Sequence, residues 1–82
     1  MPTIMELGIL FAQFSMVSDS QKGDFIRQHP EIKNEGLVDW ALMAADMREP
    51  EDRRRILNAA LYLANVLGDR ARQNAVRAKL AA

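Results

Sequence analysis

Ile56-Leu57-Asn58-Ala59-Ala60-Leu61-Tyr62-Leu63-Ala64-Asn65-Val66-Leu67 is the stretch on which the fold turns. At 100° per residue, a helix built on it is apolar around most of its circumference. Arg54, Asn58 and Asn65 share one narrow polar stripe. A helix this apolar has to be enclosed by other helices. Its ends are marked as well. Pro50 suits a first helical position, where its missing N–H would have no partner in any case. Glu51 and Asp52 sit at the positive end of the helix dipole. Gly68 is the residue that most cheaply takes the left-handed conformation that closes a helix. The sequence therefore reads as an all-α fold, a compact bundle of four to five helices around a central helix from about Pro50 to Leu67. No sustained alternation and no Asn-Gly or Asp-Gly turn signals a strand.

Working outward, Thr3-Ile4-Met5-Glu6 has the pattern of a capping box, and a helix is expected to run to about Met16 or Val17. Leu7, Leu10, Phe11 and Phe14, with Ile4, fall on one face of it; Met5, Ile9, Ala12 and Met16 fall on another. A terminal helix can bury one such face easily, and burying both needs a further layer or a second chain. Ser18-Asp19-Ser20-Gln21 reads as another cap, opening a short helix to about Gln28 that His29-Pro30 terminates. Phe25 and Ile26 are its apolar residues, and Gly23 weakens it by about 1 kcal/mol relative to alanine. Asn34 is placed to cap a third helix from Glu35 to about Arg48. Leu37, Val38, Ala41, Leu42, Ala44 and Ala45 give it a wide apolar face, Trp40, Met43 and Met47 flank that face, and Asp39 and Asp46 mark the solvent side. After Gly68, Asp69 is placed to cap a last helix to about Leu80. Its Ala71, Ala75, Ala78 and Ala82 form a small-residue face suited to close packing, with Val76 and Leu80 on the other side.

Eighty-two residues predict a single domain over 1–82, and a domain of that size buries only about 60–65% of its unfolded surface. With 49% hydrophobic residues, either the packing is very efficient or some apolar surface is meant for a partner. There is no cysteine, hence neither a disulfide framework nor a thiolate zinc site. The first apolar run is broken by Glu6 and Gln13 and has no basic flank, so neither a signal peptide nor a membrane span is read there; a cytoplasmic protein is expected. The net charge is zero but unevenly spread. Residues 1–52 carry four basic and ten acidic side chains, and residues 53–82 carry seven basic and one acidic. Such asymmetry suits either an anionic partner or the pairing of one half of a bundle with the other.

Two stretches carry a family resemblance. Leu67-Gly68-Asp69-Arg70, followed by Ala75, resembles the turn between successive helices of bacterial tetratricopeptide-type repeats. Asp24-Phe25-Ile26-Arg27-Gln28-His29-Pro30-Glu31-Ile32 resembles the lead-in before helical pairs in some of those proteins. The resemblance implies a protein-binding scaffold rather than a catalyst. It comes without a second copy at a fixed period, which repeat arrays show.

No constellation for chemistry is evident. His29 stands alone, without cysteines or clustered acids to complete a metal site. Asp39 and Asp46 lie two helical turns apart, too far to share a proton. Ser15, Ser18 and Ser20 have no base placed to activate them, and no phosphate-binding glycine motif occurs. No enzyme activity, cofactor or metal is therefore expected. Arg53, Arg54 and Arg55 point in three directions on a helix, and Glu49 to Arg53 and Glu51 to Arg55 are favourable i,i+4 pairs, so local ion pairing is expected there. Arg70 and Arg77 form one lane on the last helix, Arg72 and Lys79 another. With few acids beside them, these four are the candidates for an anionic or acidic partner. A nucleic-acid-binding helical domain using this basic half is the alternative function. Against it, no aromatic residue follows Tyr62 to stack on bases, and only Gln73 and Asn74 could read them.

The function expected from the sequence is a small helical protein–protein interaction module, an adaptor or docking domain able to self-associate. Its candidate partner-binding residues are Met5, Ile9 and Met16 on the first helix and Trp40, Met43 and Met47 on the third. The partner is another protein or a second copy of the chain.

Overall fold

The computed structural model describes residues 3–82. The protein is all-α, with five α-helices, one 3-10 turn and no strand among the described residues. The helices are α1 (Ile4–Met16), α2 (Asp19–Gln28), α3 (Glu35–Ala45), α4 (Pro50–Leu67) and α5 (Arg70–Ala81), with the 3-10 turn Pro30–Ile32 between α2 and α3. α4 is central: it packs against α1, α3 and α5. Leu57, Ala60, Leu63 and Ala64 on it have no solvent exposure, while Arg54, Asn58 and Asn65 face out as the polar stripe requires. Enclosure is incomplete on one side, where Val66 is exposed and Leu61 and Tyr62 are half-buried.

The helix ends follow from their residues. The Thr3 hydroxyl accepts from the Glu6 N–H at 3.2 Å, the Asn34 side chain from Gly36 at 2.8 Å and the Asp69 carboxylate from Arg72 at 3.0 Å. Each satisfies a donor that the first helical turn leaves free. Ser18 occupies its cap position without making that bond; its hydroxyl meets Ser20 instead. Pro50 opens α4 and Gly68 closes it at φ 68°. The Asp69 N–H then returns to the Ala64 carbonyl at 3.1 Å, the wide loop of a Schellman ending, and folds α5 back along α4.

Three elements differ from expectation. α3 stops at Ala45 rather than Arg48, because Asp46, Met47 and Arg48 donate to carbonyls only three residues back. That tightened turn leads the chain to Glu49, which proline at position 50 holds extended, as Pro disfavours the α region before it. Ile4 does not join the inward face of α1; at the first turn it is 59% exposed. α5 is turned the other way from its small-residue face. Ala71, Ala75, Ala78 and Ala82 are exposed, and α5 packs through Val76 and Leu80 with Arg72, Gln73 and Lys79 at its margins. Burying Val76 removes more apolar area than burying alanines, and this rotation also aims the two cations at α3.

The core is knitted by aromatic rings at the end of α1. Phe14 contacts Phe25 of α2 at 5.6 Å and Tyr62 of α4 at 5.9 Å, centroid to centroid. Lys22 is buried there: its ammonium stands over the Phe14 ring, 5.5 Å from the centroid, and donates to the Val17 carbonyl at 2.6 Å, at the negative end of α1.

Candidate functional site

Trp40 sits at the meeting point of the exposed apolar residues. Its indole is half-buried, edge-on to Phe11 with centroids 6.0 Å apart. Gly8 of α1 faces the ring: a β-carbon there would lie 3.6 Å from the indole Cζ2, in ordinary van der Waals contact. On one side of Trp40 a groove of about 460 Å³ is lined by Met43, Ala44, Met47 and Arg48. On the other side a groove of about 470 Å³ is lined by Ile4, Met5, Gly8, Ile9, Ala12 and again Arg48. The two grooves share Trp40 and Arg48 and form one surface.

Five of the six sequence-predicted partner residues thus come together: Met5, Ile9, Trp40, Met43 and Met47. Met5, Ile9, Met43 and Met47 are 76%, 56%, 69% and 86% exposed. Met16 is also exposed but borders neither groove; it continues the Met5–Ile9–Ala12 lane toward the far end of α1. Arg48 was not a sequence candidate. It lies in an interhelical turn, where periodicity carries no signal, and only the tertiary fold brings it beside Trp40.

The four cationic candidates divide. Arg72 donates to both Asp39 oxygens, at 3.0 and 2.7 Å, and to Asp69 at 2.7 Å, with Glu35 at 3.5 Å. Lys79 pairs with Asp46. Asp39 and Asp46, expected as a solvated stripe, are therefore the anchors of α5 on α3. The hydrogen bond from Lys79 holds the Asp46 carboxyl below its ordinary value of 3.8, and the backbone and side-chain donors of Arg72 do the same to Asp69. The hydrogen bonds that the Arg72 guanidinium donates to Asp39 and Asp69 hold its own pKa above the ordinary arginine value. Arg70 and Arg77 take part in no ion pair among the described residues. The arginine triplet is also wired differently from expectation. Arg55 pairs with Asp52 at 2.9 Å rather than Glu51, and Arg53 donates to the Lys79 carbonyl at 3.0 Å rather than to Glu49. The α4–α5 packing brings that carbonyl within reach of Arg53.

His29 packs against Phe25, with ring centroids 4.8 Å apart and the planes tilted by 43°, and faces Glu31 at 3.5 Å. No group of three or more His, Asp or Glu side chains able to hold a metal occurs among the described residues. No helix there is long and apolar enough to cross a membrane. Comparison with protein-family models, with curated proteins and with solved structures finds no match.

Proposed function

We propose that this chain is a small helical protein–protein interaction module whose docking surface is the apolar surface around Trp40. The observation that carries this reading is the union of the α1 lane and the α3 flank into one surface rimmed by Arg48. Scattered exposed apolar residues are ordinary on a monomer; a contiguous set of large ones marks an interaction site. Methionine suits such a surface, because its unbranched, polarizable side chain adapts to the shape it meets. Fully burying one Met- or Ile-sized side chain is worth about 1.5–3 kcal/mol, so this set can outweigh the cost of association. An anionic partner at the basic half has less support. Two of its four candidate cations are already engaged by the chain's own carboxylates.

The test is NMR on protein labelled with 15N throughout and with 13C at the methionine methyls, against a panel of amphipathic helical peptides. Shifts at Met5, Met43 and Met47 with the Trp40 indole, and none at the α5 surface, are the expected result. If no peptide perturbs these signals, or shifts gather on α5 instead, the docking surface is misassigned.

A further inference from the structure

Charge at the rim of the Trp40 surface distinguishes one occupant. Arg48 borders both grooves and takes part in no ion pair among the described residues. On α1, Glu6 is exposed and likewise in no ion pair. The helical wheel puts Glu6 about 100° from Met5 on one side of the apolar lane, and Gly8, which faces Trp40, about 60° from it on the other. The surface therefore has an apolar centre, a free cation on the Trp40 side and a free anion on the opposite side.

We propose that the occupant of this surface is a second copy of the same chain, docked about a two-fold axis that runs along the α1 lane. This rests on the docking surface proposed above and names its partner. A rotation about that axis exchanges the two sides of the lane, so each Glu6 lies over the Arg48 side of the other copy. Arg48 lines the groove that runs along α1 from Ile4 to Ala12, the span of the helix that carries Glu6. Met5, Ile9 and Ala12 of each copy meet their counterparts, with the two α1 helices parallel. An isologous contact requires a surface complementary to itself, and the arrangement of charge around this one meets that requirement. Met16, which borders neither groove, gains a role as the far end of the same lane.

Light scattering over a concentration series is the first test. The mass is expected to rise from 9.3 kDa to twice that value, and Ile9→Glu is expected to hold it at 9.3 kDa with unchanged helicity by circular dichroism. Glu6→Arg and Arg48→Glu should each weaken self-association about tenfold, since a two-fold axis repeats every substitution, and the double charge reversal should restore it. The chain has no cysteine, so orientation is read directly from single-cysteine variants. Met5→Cys and Met16→Cys should each oxidise to homodimers. An antiparallel pairing would instead cross-link the two variants to each other when mixed, and would overturn the proposed axis. A double reversal that fails to recover would likewise overturn the axis, and a mass fixed at 9.3 kDa at millimolar concentration would overturn the second copy as occupant. In the monomeric case, peptide-induced shifts at Met5, Met43 and Met47 would still leave the docking surface itself standing.

Discussion

At Gly68 the backbone takes φ 68°, where any β-carbon is strained, although no atom lies near enough to clash with one. Gly68→Ala is therefore expected to destabilise the protein by about 1–2 kcal/mol, through backbone strain alone, in a chemical denaturation experiment. Gly8 is the opposite case. Its conformation is helical, and an added β-carbon would make ordinary contact with Trp40 at 3.6 Å. Gly8→Ala is expected to stabilise by up to about 1 kcal/mol, the helix-propensity difference, in the same measurement. The sequence pattern could distinguish the first glycine, at a helix boundary before a capping Asp, but not the second, whose neighbour is set by the α1–α3 approach.

At the scale of elements, α5 is held to α3 by cations meeting carboxylates across the interface: Arg72 on Asp39 and Lys79 on Asp46. The attachment should respond to acid. Asp46 and Asp69 have folded values below their ordinary 3.8, so their contribution is complete above that value and is lost as pH falls through and below it. Thermal melts are expected to show a level Tm at neutral pH and a falling one below about pH 4. Asp46→Asn should lower the Tm at neutral pH, and the gap to the parent protein should close in strong acid, where both lack the charge. A gap that persists unchanged in acid would assign the effect of Asp46→Asn to something other than its pairing with Lys79. The charge asymmetry between the two halves was plain in the sequence. Which acid meets which base depended on the rotation of α5, and that was set by Val76 seeking the core.

For the whole molecule, the single core explains why one substitution has a large effect. Leu63 has no exposure and lies on the helix that touches α1, α3 and α5. Leu63→Ala removes transfer energy and leaves a cavity, costing about 2–5 kcal/mol. Against a total stability of about 5 kcal/mol at the low end for a domain, this is expected to unfold much of the population, seen as lost helicity at room temperature. Ile9→Glu touches only the exposed face of α1 and should leave the melt nearly unchanged when both proteins are dilute enough to be monomeric. The radius of gyration, 11.6 Å, is that of a compact chain of this length, about 12 Å, so the exposed methionines are not the product of loose packing.

What the sequence by itself determined is local: where each helix starts, where all but α3 stop, and which residues of α4 and, Ile4 apart, of α1 face inward. Caps, proline and glycine act within a few residues, and apolar periodicity on a helix with one strong face leaves a single way to bury it. The two apolar clusters on α1 and α3 were legible one at a time for the same reason. Only the tertiary structure decided that they join through Trp40 and Gly8, that Arg48 stands beside them, and that α5 shows its alanines to solvent. These outcomes depend on how helices with competing faces share one small core. On α5, Val76 and the reach of Arg72 and Lys79 to α3 outweighed four alanines, a balance of burial and charge between helices that no pattern within one helix contains.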